Sequence, residues 1–196
     1  MGGLLSDGDF DGDTDLDLFL ANGAVKIAEE YAHLDYPYPF PNQLILNSGP
    51  PHFAFRDASQ EGGSDVTKPE VSRGAAFGDI DNDGDIDILI SNSNGPLRLL
   101  RNDRGNRQNA WLTLKLVGSS SNRGALGAEV RLATQLRRVR TDGSYCSAND
   151  PRVHFGLGDD HGAQSVTVTW PSGLVERFDD LQAGRETTLT EGSSSP

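Results

Sequence analysis

Two apolar runs of the same shape, Leu16-Asp17-Leu18-Phe19-Leu20 and Ile86-Asp87-Ile88-Leu89-Ile90, lie seventy positions apart, each directly after a stretch of alternating aspartates. Short, bounded apolar runs of this kind predict strands. Residues 3–8 stand before the first acidic stretch as Arg73-Gly74-Ala75-Ala76-Phe77-Gly78 stand before the second, so an incoming strand is expected on that side as well. Gln43-Leu44-Ile45-Leu46-Asn47 and Leu97-Arg98-Leu99-Leu100-Arg101-Asn102 follow as the next strand of each unit. His52 to Asp57 alternates as a half-buried strand, and Ser59 to Ser72 reads as a polar loop. Val25 to Leu34 suits a short helix, whereas Tyr36-Pro37-Tyr38-Pro39-Phe40-Pro41 does not, because proline lacks the donor and restrains its predecessor. Residues 22–42 are therefore an insertion within the first unit.

From Trp111 onward the rhythm changes. Trp111 to Leu116, Ala128 to Leu132, Leu136 to Val139, Ser165 to Trp170 and Thr187 to Leu189 alternate between apolar and polar, separated by glycine, serine and asparagine turns. The pattern predicts a compact antiparallel β-sandwich over 106–192 with a flexible tail at 193–196, and the polar stretch Asp103 to Asn109 marks the boundary. The fold class expected for the whole chain is all-β, with a partial β-propeller-like repeat array over 1–105 ahead of the C-terminal sandwich. Repeated sheet units bury their faces only against neighbours, and two do not close a ring. An open repeat edge is therefore expected, covered by the sandwich or available for association with a partner.

The acidic stretches carry the chemistry. Asp79-Ile80-Asp81-Asn82-Asp83-Gly84-Asp85-Ile86-Asp87 places a carboxylate at every second position. Ca2+ takes roughly six to eight oxygens at about 2.3–2.6 Å, and a tight turn of aspartates supplies most of them. Asp79, Asp81, Asp83 and Asp87 are the expected side-chain ligands, Asp85 contributes its main-chain carbonyl, and Gly84 permits the sharp turn. Asp9, Asp11, Asp13, Asp15 and Asp17 repeat the arrangement, so two calcium sites are expected. Thr14 stands where the second copy has Gly84, which makes the first turn costlier, although Gly12 adds freedom nearby. Neither stretch has the flanking helices and closing glutamate of an EF-hand. A merely solvated acidic loop is the weaker reading, because like charges this dense oppose a compact turn unless a cation is present.

Charge and composition narrow the function. The formal net charge is −12, and eleven of the 29 acidic residues fall between Asp7 and Asp17 or Asp79 and Asp87. The rest of the chain is close to neutral, and nothing in it provides the basic face that nucleic acid requires. The single cysteine, Cys146, excludes an internal disulfide and reads as a small apolar residue. No apolar run reaches the roughly eighteen residues of a membrane helix. No signal peptide opens the chain, as expected of a piece of a longer protein. Met1 to Ser6 fits a myristoylation pattern, but the adjacent acidic loop would be repelled by an anionic membrane, so lipidation is set aside.

Other candidate groups are weaker. His33, His52, His154 and His161 lack ligand spacing for zinc, and Asp159-Asp160-His161-Gly162 reads as a turn with no nucleophile elbow to accompany it, so no catalytic residue is assigned. Asn149-Asp150-Pro151-Arg152 with His154 is either a binding cluster or a turn in which Arg152 pairs with a nearby acid; the turn is favoured. Tyr31, Tyr36, Tyr38 and Phe40 either cover the open side of the array or offer a face to a protein or carbohydrate ligand.

Phe77 to Ile88 resembles the FG-GAP/VCBS calcium repeat of integrin-type propellers. Gly118 to Ala128, Gly143 to Gly158 and Trp170-Pro171-Ser172-Gly173 resemble the ASPIC/UnbV domain. The resemblance spans nearly the whole chain and implies a calcium-stabilised propeller with a C-terminal β-sandwich. It also implies a secreted, periplasmic or cell-envelope location and a role in adhesion or recognition. A noncatalytic calcium-binding recognition module is the expected function; the alternative is a Ca2+-dependent enzyme acting on a small molecule or glycan in a propeller–sandwich cleft.

Overall fold

A computed structural model describes residues 2–25, 33, 38–103, 109–143 and 145–194. Strands β1 (Gly2–Gly8), β2 (Asp17–Gly23), β3 (Gln43–Asn47) and β4 (Phe55–Asp57) form one antiparallel sheet in that order. Strands β5 (Ser72–Gly78), β6 (Asp87–Asn92) and β7 (Arg98–Leu100) form a second. In each sheet the aspartate stretch connects the first two strands, and pairing ends at Gly8 with Asp17 and at Gly78 with Asp87. The chain there leaves the ladder for eight residues and returns, so the acidic loop is closed at its base by the hairpin itself.

The two sheets stack face to face. Phe19 and Ala21 from the first meet Ile88, Ile90, Ala75 and Phe77 from the second in a common core. The faces used are not equivalent ones. Leu89, the counterpart of Phe19 in the second repeat, lies opposite Leu99 on the outer face, where the two are 39% and 53% exposed. The repeats therefore stack in one direction, like consecutive units of an array, and present an apolar outer face. Only Phe55–Asp57 of the expected 52–57 strand pairs, because Pro50 and Pro51 and the left-handed backbone of Phe53 (φ +44°) turn the chain just before it.

The insertion returns to the array. Pro39 bridges Gly23, Phe40 exchanges main-chain hydrogen bonds with Glu70, and Arg73 donates to the carbonyls of Gly23 and Ala24. The expected helix over 25–34, Tyr31 and Tyr36 lie outside the described residues apart from Val25 and His33; Tyr38 and Phe40 are half-buried.

The second half comprises β8 (Ala110–Val117), β9 (Glu129–Leu132), β10 (Gln135–Arg138), β11 (Val153–Gly158), β12 (Ala163–Thr169), β13 (Val175–Gln182) and β14 (Arg185–Thr190). One sheet runs β10-β9-β12-β13 and the other β11-β8-β14. Alternation fills the space between them with Leu112, Leu114, Val130, Phe155, Val166, Val168 and Trp170. The pairs are antiparallel except for β14, which lies parallel to β8. Two of these strands are not singled out by alternation. β11 carries a bulge at Leu157, between two glycines, and β13 is acidic and bulged, with Asp179 and Asp180 (φ +58°) facing the one residue Ser165 of β12. Cys146, read as an apolar filler, lies exposed in the turn before β11. The 105/106 boundary falls outside the described residues. Among those described, no helix is long and apolar enough to cross a membrane.

Candidate metal centre

Each acidic loop is built by its first and last aspartates. Asp9 accepts hydrogen bonds from the amides of Gly12 and Thr14, at 2.8 and 3.0 Å. Asp79 accepts from the equivalent region, the amides of Asp83 and Gly84, at 3.1 and 3.0 Å. Asp17 joins the amides of Phe10 and Asn47, both at 2.8 Å, and Asp87 joins those of Ile80 and Asn102 at 2.9 and 2.8 Å. These four carboxylates are buried, and their acceptor bonds draw the loop tight around them. A second device is backbone handedness. Gly12 and Asn82 adopt φ of +75° and +59°, and Thr14 and Gly84 adopt +91° and +99°. Both loops thus turn through left-handed residues at the same two positions, and Thr14 does so with a β-branched side chain, which costs about 1–3 kcal/mol.

The folded loops bring carboxylates together. Oxygens of Asp9, Asp11 and Asp17 lie within 4.8 Å of one another, and so do oxygens of Asp79, Asp81 and Asp83. That spacing matches oxygens sharing one ion at bonds of about 2.3–2.6 Å. Asp13 and Asp15 stand outside the first group, and Asp85 and Asp87 outside the second. Asp13 and Asp83 each accept an amide two residues on, at 3.0 Å. The side chain of Asp15 packs against the backbone of Gly49, and Asp81 is exposed and faces Arg101 at 3.7 Å. Oδ1 of Asp11 is buried without a hydrogen-bond partner. An orphaned carboxylate oxygen beside two other carboxylates is costly without a cation. The donor set consists of hard oxygens only, and it fits calcium.

Electrostatics agree with that fit. Burial, reinforced by the charges of Asp13 and Asp17, lifts Asp9 to a pKa of about 7. Burial likewise lifts Asp17 to about 7 against the two amides it accepts. Asp79 and Asp87 are also raised by burial. Folding thus forces carboxylates into positions where ionisation is unfavourable until positive charge joins them.

The sandwich touches both loops from outside, a contact that periodicity does not reveal. Arg152 donates to the Asp79 carbonyl and to Asn82 Oδ1, each at 2.6 Å, and its charge is met by Asp150 and Glu186 at 2.6 and 2.8 Å. The expected turn at Asn149–Arg152 and the pairing of Arg152 with an acid are both present, and the same residues join the halves. Asn149 accepts the Phe77 amide at 3.1 Å, and the Asp150 amide donates to the Phe77 carbonyl at 2.9 Å. His154 Nε2–H donates to the Gly84 carbonyl at 2.8 Å; burial holds that imidazole down to a pKa of about 4. On the first loop, Asn109 donates to the Asp11 carbonyl at 2.8 Å, the Gly158 amide to Gly12 at 3.2 Å, and Arg137 to Thr14 at 3.4 Å. A cavity of about 400 Å³ lies between the halves, lined among others by Asp9, Asp79, Thr113, Arg137, Arg138 and His154.

Residues 9–90 match the FG-GAP-like repeat family and residues 118–196 match the ASPIC and UnbV family. The chain is 30% identical to cartilage acidic protein 1 of Xenopus tropicalis over 180 residues, which is 85% of this chain and 25% of that protein. It is 30% identical to cartilage acidic protein 1 of Homo sapiens over 179 residues, 85% of this chain and 24% of that one. It therefore spans about a quarter of the length of the curated relatives it matches.

Proposed function

For a chain that carries FG-GAP-like repeats followed by an ASPIC/UnbV domain, we propose a calcium-binding, noncatalytic recognition or adhesion module that works outside the cell or in its envelope. The observation that carries the reading is the pair of equivalent acidic loops, each gathering three carboxylates, with a buried and unpaired oxygen on Asp11. In the bound form Asp9, Asp11, Asp13 and Asp17 hold one ion, and Asp79, Asp81, Asp83 and Asp87 the other. Asp15 and Asp85 give main-chain carbonyls. Calcium neutralises the loops and fixes the strands that enter and leave them, and the millimolar calcium found outside cells saturates even weak sites. Similarity to cartilage acidic protein 1 supports the extracellular assignment, and a protein or carbohydrate ligand is the partner this reading calls for.

The junction cavity is where the enzyme alternative would reside. The imidazole lining it is neutral at physiological pH and commits its Nε2–H to Gly84, which favours recognition over acid–base chemistry there. Calorimetric titration with calcium, paired with thermal melts in calcium and in chelator, tests the reading. Two sites and a large, reversible stabilisation are expected; a folded chain that binds no calcium overturns it.

A further inference from the structure

Both loops are gripped from outside at their left-handed residues. At the first such position the sandwich holds the Gly12 carbonyl through the Gly158 amide, and Asn82 Oδ1 through Arg152. At the second it holds the Thr14 carbonyl through Arg137, and the Gly84 carbonyl through His154. Four donors of three chemical kinds, one amide, two guanidiniums and one imidazole, meet matching positions of two loops seventy residues apart. Those residues carry the backbone geometry that turns each loop inward, so holding their outward groups holds the ligating shape. Trp111 closes over Gly84, where a Cβ would come within 2.1 Å of the indole nitrogen. Arg152 does this work without adding net positive charge to the site, since Asp150 and Glu186 offset it.

We propose that the sandwich supplies the positioning residues of both metal sites, Arg152 and His154 for loop 79–87 and Arg137 for loop 9–17, so that calcium occupancy and docking of the two halves form one linked equilibrium. The proposal rests on the calcium reading above. Linkage is reciprocal: what docking adds to calcium affinity, calcium adds to docking. The sandwich is then a calcium-dependent lid on the repeats, and a ligand that bridges the halves senses calcium through it.

The test is calcium calorimetry on the full chain, with sites assigned by Asp83→Ala and Asp13→Ala. His154→Leu is expected to weaken binding at loop 79–87 by about tenfold, as expected for a lost buried hydrogen bond together with its unpaired partner, and to leave loop 9–17 unchanged. His154→Gln, which restores an N–H donor, recovers most of the affinity. Arg137→Ala gives the reverse selectivity. Asn82→Gly keeps the left-handed backbone, removes the acceptor facing Arg152 and alters no residue of the sandwich; about threefold weaker binding at its own loop is expected, and this variant decides the matter if the His154 variants misfold. Protease sensitivity of the junction is expected to rise in chelator for the parent chain. If the parent binds calcium at neither loop, the calcium reading itself falls. If it binds at both and the variants bind equally well, the lid proposal falls while the calcium reading stands.

Discussion

Trp111 leaves no room for a side chain at position 84: a Cβ built there lies 2.1 Å from Nε1 and 2.3 Å from Cδ1 of the indole. The same residue holds φ at +99°, so glycine is required twice over. Gly84→Ala should lose at least about 2 kcal/mol, from backbone strain and displacement of the indole together. Chemical denaturation measures the loss. Restoring most of it in Gly84→Ala/Trp111→Ala would assign the larger part to the ring.

Thr14 poses the converse case. A threonine at φ +91° stores strain that glycine would release, and the released energy exceeds the extra chain entropy glycine brings to the unfolded state. Thr14→Gly is therefore expected to stabilise the chain by about 1 kcal/mol and to tighten calcium at the first loop. A lower melting temperature in this variant would contradict the strain account.

Asp87 closes the second loop by accepting two amides, from Ile80 and Asn102. Asp87→Asn puts an amide donor against one of those N–H groups, which should cost about 1–3 kcal/mol without calcium, and more in its presence. Equal losses in both conditions would remove Asp87 from the ligand set.

With chelator present, pH separates the acidic loops from the rest. Asp9 and Asp17 have folded pKa values raised to about 7. Their contribution is fully present below the unfolded carboxylate range and is lost as pH rises towards 7. His154 opposes this: its folded pKa of about 4 means that stability falls as pH drops from its unfolded value towards 4. His154→Gln removes that opposing contribution, and above the unfolded carboxylate range the melting temperature in chelator is expected to decline as pH rises towards 7. Saturating calcium should reverse that decline, because protons and calcium compete for the same oxygens.

Glu191 offers an internal control that touches neither acidic loop. Its carboxylate accepts the successive amides of Ser119, Ser120 and Ser121 at 2.8, 2.8 and 2.7 Å, together with the hydroxyls of Ser121 and Ser172. Burial raises its pKa, but those bonds outweigh it and bring the group down to about 2. Its contribution is present above the unfolded carboxylate range and is lost as pH falls towards 2. Glu191→Gln should lower the melting temperature at neutral pH and leave both calcium affinities unchanged. A shift in either affinity would mean that the sandwich core and the loops are coupled more broadly than through the lid contacts.

The parts legible in the sequence are those written locally. Alternating aspartates between two short apolar runs specify hairpin, turn and donor set within a dozen residues, and Thr14 already marks the costlier loop. The first left-handed residue of the second loop is less visible, because asparagine at 82 tolerates that backbone without announcing it. Nothing local links residue 84 with residues 111 and 154, or residue 12 with residue 158. Those contacts arise only once the two halves are placed. β13 is hidden for another reason: its strand residues Glu176, Asp179 and Asp180 break the apolar rhythm, and one side of its sheet faces solvent. Arg152 and His154 are legible as members of a polar cluster at a proline turn, but their destination on the acidic loop is a property of the assembled fold.

The parallel pairing of β14 with β8 has a temporal meaning. A hairpin closes as soon as its second strand emerges from the ribosome, whereas Arg185–Thr190 seats beside Leu112–Val117 only after some seventy intervening residues have been made. The repeat hairpins, local in sequence, are therefore complete while the sheet that bears His154 still lacks its edge. During synthesis the acidic loops are closed at their base before they are covered, and the contacts from Arg137, Arg152 and His154 reach them last.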